Sequence, residues 1–135
     1  TQSSTLFPYT TLFRSIAALK PFWADFVDDQ IKLNDFGGTE FLLDSLAKEG
    51  WTPDLLYARG ELYRAHGTPD DLVKAAGFYR EALTRPDAPV EAHRGLGLAL
   101  LRGGSAPDGR AALKVYLEKR PDAPDRAMIA MLAGG

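Results

Sequence analysis

The side chains best suited to chemistry are two histidines, His66 and His93, and two pairs of adjacent acids, Asp28-Asp29 and Asp70-Asp71. An imidazole can hold a metal or move a proton near neutral pH, and paired carboxylates can share acid–base work. Either role needs convergence, as three or four ligands around a metal or an oriented base beside a nucleophile. The sequence supplies no third ligand at suitable spacing, no His-Glu-x-x-His run and no cysteine. Ser105 lacks the strand–turn–helix setting that exposes a nucleophile. Gly37-Gly38 and Gly103-Gly104 lack the preceding strand of a phosphate loop and read as helix stops. Structural roles account for the rest. His66 lies at a helix C-terminus and Asp70-Asp71 at a helix start, each where the helix dipole favours its charge. Asp28-Asp29 reads as a solvated face, and His93 falls in a packing stripe. The expectation for this chain is no catalytic residue, no metal site and no cofactor.

The elements that would position such groups are helical. Residues 21–33 carry Phe22, Trp23, Phe26, Val27 and Ile31 as one apolar stripe at helical spacing. Residues 34–38 break that pattern, and Thr39 is expected to cap a second helix holding Phe41, Leu42, Leu43 and Leu46 up to Gly50. Thr52-Pro53 opens a third that runs to His66 and stops at Gly67. Thr68-Pro69 repeats the start signal for a fourth, which carries Leu72, Val73, Ala76, Tyr79 and Leu83 to Arg85. Further helices are expected over 90–102, over 107–119, and from Pro124 through Met128, Ile129 and Leu132. No stretch alternates with period two, and the short loops force antiparallel neighbours. The fold class is all-α.

Internal similarity sets the architecture. Arg-Pro-Asp-Ala-Pro occurs at 85–89 and again at 120–124, 35 residues apart. Leu56, Gly60, Tyr63 and Gly67 answer His93, Gly97, Leu100 and Gly104 at an offset of 37, and Ala75 and Tyr79 answer Gly109 and Leu113 at 34. Small residues on facing helices with large plugs three or four positions on, repeating at about 34 residues, resemble the tetratricopeptide repeat family. The resemblance covers 53–121 well. It departs from the family where the usual Trp of the first helix is missing and where His93 replaces a Leu. It implies antiparallel helical hairpins stacked as a short α-solenoid. Residues 16–50 would form a degenerate hairpin. Two repeats, 53–86 and 90–121, would follow within 51–123, and 124–135 would be a C-terminal capping helix. The implied packing residues are Leu56, Gly60, Tyr63, Ala75, Tyr79, Gly97, Leu100, Gly109 and Leu113.

The first fifteen residues fit none of this. They are Thr- and Phe-rich, and residues 5–15 (TLFPYTTLFRS) resemble, residue for residue, the in-frame translation of a common sequencing adapter. Residues 1–15 are therefore set aside as an artefact expected to be disordered or loosely packed. The native reading frame is expected to pass through Ile16 from a longer protein. The 135 residues carry a net charge of −2 and 45% hydrophobic residues, with no basic footprint for nucleic acid and no apolar run that would insert in a membrane.

Repeat arrays of this kind bind through the concave face formed by the first helix of each hairpin. The resemblance places Tyr57, Glu61, Arg64, Arg94, Leu98, Leu101 and Arg102 there. Tyr57 and Glu61 stand where chaperone-binding members carry a Lys and an Asn, so chaperone tails are not the expected ligand. The arginines suit a carboxylate or an acidic peptide. The expected function is a protein- or peptide-binding scaffold without catalysis. The alternative rests on YARGELYR (57–64), HRGLGLALL (93–101) and YLEKRPDAPDRAMI (116–129), which resemble the C-terminal tails of bacterial zinc metallopeptidases. Under it the chain recruits substrate for a peptidase domain outside this sequence, in the bacterial cell envelope. Otherwise a cytoplasmic bacterial module is expected.

Overall fold

The computed structural model of the chain describes residues 36–134. The segment 1–15 and the helix expected over 21–33 lie outside the described residues. Among the described residues there are six α-helices and no strand: α1 (Phe36–Leu46), α2 (Pro53–His66), α3 (Pro69–Leu83), α4 (Glu91–Arg102), α5 (Ala106–Lys119) and α6 (Arg126–Leu132).

Local chemistry explains both ends of α2 and the start of α3. Thr52 caps α2 by accepting from the Leu55 amide at 3.2 Å, with Pro53 in the first turn where a missing N–H is harmless. Gly67 ends α2 in the left-handed region (φ 77°), its amide donating to the Tyr63 carbonyl at 3.0 Å. One residue later Thr68 opens α3 with a reciprocal capping box. Its hydroxyl accepts from the Asp71 amide, and the Asp71 carboxylate accepts from the Thr68 amide and hydroxyl. The turn between α2 and α3 is thus fixed from both sides.

α1 departs from the expectation. Thr39 does not cap it; the helix starts at Phe36, runs through Gly37 and Gly38, and buries Thr39 inside. The Phe36 ring supplies the reason. It meets Tyr63 edge-on at 5.2 Å and lies 4.3 Å from the His66 ring, tying the first turn of α1 to the last turn of α2. Full burial of an aromatic ring contributes about 1.5–3 kcal/mol, so packing of this half-buried ring offsets much of the roughly 2 kcal/mol that the two helical glycines cost together.

Successive helices pack as antiparallel neighbours from α1 to α6, and α2 also reaches past α3 to touch α4. The helices are therefore stacked hairpins in which the first helices of consecutive pairs lie side by side. α4 is the shared element. Its Ala92 and Ala99 belong to a core with Leu43, Leu55, Leu62, Ala75 and Tyr79, while its Leu98 and Leu101 pack on a second core of Leu113, Tyr116 and Ile129. Two glycines make this possible. A methyl group on Gly95 would come 2.3 Å from the Tyr79 ring of α3, and one on Gly97 would come 2.5 Å from Leu113 and 2.9 Å from the Gly109 carbonyl of α5. Two residues along a helix turn through about 200°, so one glycine faces each neighbour.

Candidate functional site

The face shared by α2 and α4 carries a group of half-buried polar side chains. On α2, Tyr57, Glu61 and Arg64 follow one another at spacings of four and three, hence on one stripe. Arg64 donates through Nη2 to both Glu61 carboxylate oxygens at 3.0 Å, and through Nε to the Tyr79 hydroxyl at 3.0 Å. The Tyr79 hydroxyl in turn donates to Glu61 Oε1 at 2.6 Å. This closed triangle is anchored by a ring that is wholly buried between Gly60 and Gly95. Tyr57 lies beside it, 6.1 Å from the Tyr79 ring.

α4 continues the face. Arg94 donates from Nε to Asp125 Oδ2 at 2.6 Å, and Asp125, just before α6, also accepts from the buried Tyr116 hydroxyl at 3.3 Å. Leu98 and Leu101 are half-buried against the second core. Arg102 points elsewhere. Its Nη1 donates to the Arg64 carbonyl at 3.1 Å, covering the C-terminal end of α2. Both arginines placed on this face for an acidic ligand, Arg64 and Arg94, already hold a carboxylate of the chain itself.

Burial first, and then the Glu61 and Glu91 carboxylates, push the Tyr57 hydroxyl above its ordinary value, while Arg64 and Arg94 oppose the shift. It is a neutral hydroxyl at any ordinary pH. Tyr79 is raised for the same leading reasons, burial and Glu61. Burial works against the Arg64 charge, but Glu61 and the Tyr79 hydroxyl more than offset it, so its pKa moves up. Burial likewise disfavours the Asp125 carboxylate, yet the Arg94 bond holds its pKa below the usual range. The Tyr57 hydroxyl therefore senses two carboxylates and two guanidiniums, whose formal charges cancel.

The other residues singled out from the sequence are placed as follows. Leu56, Gly60, Tyr63, Ala75, Tyr79, Gly97, Gly109 and Leu113 are buried, and Leu100 is half-buried against the first core. His66 lies with Nδ1 2.5 Å from Asp71 Oδ2, stacked on Phe36. His93 is half-buried, with its pKa lowered by burial and then by Lys119. Among the described residues no three His, Cys, Asp or Glu side chains gather as a metal site requires. No described helix is long and apolar enough to cross a membrane.

Three features enter only with the structure. Gly95 could be read from its spacing, since two glycines two residues apart on one helix cannot serve the same neighbour. Asp125 could not: its partner Arg94 is 31 residues away, and only the stack brings them together. Near the opposite side of α2, the Arg59 guanidinium lies between Trp51 and Phe78, 4.7 and 4.4 Å from their ring centroids. This cation–π sandwich is worth about 0.5–2 kcal/mol and joins α2 to α3. No family model, curated protein or solved structure matches the chain.

Proposed function

We propose that this chain is a protein- or peptide-binding scaffold of the tetratricopeptide kind, working through the face of α2 and α4. One observation supports the proposal: α2 touches α4 as well as α3, and Tyr57 lies close enough to Glu61, Arg64, Glu91 and Arg94 for their charges to act on its hydroxyl. A half-buried tyrosine with guanidiniums beside it is a composition enriched in binding interfaces. The bonds among Tyr79, Glu61 and Arg64, and the one from Arg94 to Asp125, would hold both guanidiniums in place before any ligand arrives, which lowers the entropy lost on binding. The repeat spacing and the small-residue contacts support the family reading. The chain would act by binding whether it stands alone or follows a peptidase domain.

The test is selection of binders from a random peptide display library with the whole chain as bait. Binders should lose about tenfold or more in affinity against Tyr57→Ala or Arg94→Ala, a hot-spot effect. They should also protect α2 and α4 amides from hydrogen exchange. Binders that protect α3 or α5 instead, or an empty selection, would overturn the proposal.

A further inference from the structure

We infer that α6 is a shortened copy of α4 whose outer face, Met128, Met131 and Leu132, pairs with the same face of a second copy of this chain about a twofold axis. A ligand on the α2–α4 face is not required for it. Both helices follow the pentapeptide Arg-Pro-Asp-Ala-Pro, at 85–89 before α4 and at 120–124 before α6. Both also leave by the same turn. The residue after α4, Gly103, has φ −81° and ψ 0°, and its amide donates to the Ala99 and Leu101 carbonyls. The residue after α6, Ala133, has φ −76° and ψ 0°, and its amide donates to those of Ile129 and Met131. Gly104 and Gly134 come next, each with φ 90°. The lead-ins lie 35 residues apart and the exits 30, so α6 is α4 with five residues removed, seven against twelve.

Matching the exits sets the register. Ala99, which faces the first core, answers Ile129, which is fully buried in the second. Leu98 and Leu101 answer Met128 and Met131. On α4 those leucines pack on the second core, and Leu101 lies against α5, where a methyl group on Gly109 would come 3.0 Å from its Cγ. On α6 the matching positions are open. Met128 is 48% exposed and Met131 80%, with Leu132 on the same stripe at 41%. A helix that closes an array usually turns polar side chains outward. The match with α4 indicates what belongs on this face instead: an apolar helix running antiparallel, as α5 runs against α4. Two α6 helices related by a perpendicular twofold axis are antiparallel, and the face is then its own complement. Among the described residues the other exposed large apolar side chains are Phe41 and Val73, one each on α1 and α3, so α6 is the element that offers a stripe. Methionine suits such a contact, since its unbranched thioether adapts to an irregular surface. Three side chains from each copy make a small interface, so the pairing is weak and concentration-dependent.

The test is sedimentation equilibrium on the full chain, from about 10 μM to about 1 mM, the range of weak association. The weight-average mass should climb from 14.7 kDa toward twice that value and no further. Met131→Lys, at a position exposed enough to leave the fold intact, should weaken the pairing about tenfold or more. Val73→Lys, an exposed apolar position on α3, should pair as the wild type does. The chain has no cysteine, so Met131→Cys adds a second readout: at high concentration it should oxidise to a disulfide-linked dimer about tenfold faster than Val73→Cys. A monomer at every concentration, a mass that grows past two copies, or pairing that Met131→Lys leaves unchanged overturns the inference. So does an equal loss of pairing in Val73→Lys, or equal rates of disulfide formation in the two cysteine variants.

Discussion

Tyr79 shows how much of the stack can depend on the absence of one atom. Its ring fills the space that methyl groups on Gly60 and Gly95 would need, at 2.7 and 2.3 Å, and its hydroxyl organises Glu61 and Arg64. By intrinsic propensity alone, alanine at position 95 would stabilise α4 by about 1 kcal/mol. The clash runs the other way, because a ring held at both faces and at its hydroxyl cannot step aside. Overpacking of this kind costs about 1–3 kcal/mol or more, so Gly95→Ala should lower stability. Gly77, in the middle of α3, is the control. A methyl group there meets nothing within 4 Å, so Gly77→Ala should raise stability by about 0.5–1 kcal/mol. Urea denaturation of the two variants, read as opposite shifts in midpoint, checks the pair. A stabilised Gly95→Ala would mean that Tyr79 is less firmly seated than its contacts indicate.

At the scale of the element, the sequence is most legible where the signal is local and least where it is not. Thr52-Pro53 and Thr68-Pro69 state their helix starts outright, because capping involves residues three apart. The start of α1 is hidden because Gly37, Gly38 and Thr39 look like a break and a cap, and only the distant rings of Tyr63 and His66 override them. The repeat spacing brings Tyr57, Glu61 and Arg64 onto one stripe. That Glu61 and Asp125 already occupy the arginines is beyond its reach, since spacing says nothing about which partner wins. The capping box at α3 yields a pH prediction. The Thr68 hydroxyl first, and the His66 ring after the opposing effect of burial, hold the Asp71 carboxyl below its usual value. Its folded pKa thus lies under the unfolded value of about 4. The resulting stability is present above that pH and is lost as pH falls through the folded value. Asp71→Asn should lower stability at pH 7 by about 1 kcal/mol, within the range for a lost cap. It should also flatten the decline that the wild type shows on acidification below about pH 4. Thermal melts from neutral to acidic pH test this; an unchanged acid slope would assign the decline to other carboxylates.

At the scale of the molecule, α4 carries residues of both cores among the described residues, and that arrangement sets how the stack should come apart. Core one joins α1 to α4, and core two joins α5 and α6 to the other side of α4. α6 is short; it buries Ile129 completely and turns Met128, Met131 and Leu132 outward. In a linear stack, stability is close to a sum of unit and nearest-neighbour contributions, so damage at one end should stay near that end. Ile129→Ala removes a fully buried side chain and should cost about 2–4 kcal/mol. Its signature in native-state hydrogen exchange should be regional: faster exchange in α5 and α6, with α2 and α3 nearly as protected as in the wild type. The α2–α4 face would then retain Tyr57, Glu61 and Arg64 in place but lose the Asp125 hold on Arg94, since Asp125 immediately precedes α6. Peptide affinity should accordingly fall by less than in Arg94→Ala. Uniform loss of protection from α1 to α6 would show instead that α4 couples the two cores into one cooperative unit, and that the binding face stands or falls with all of it.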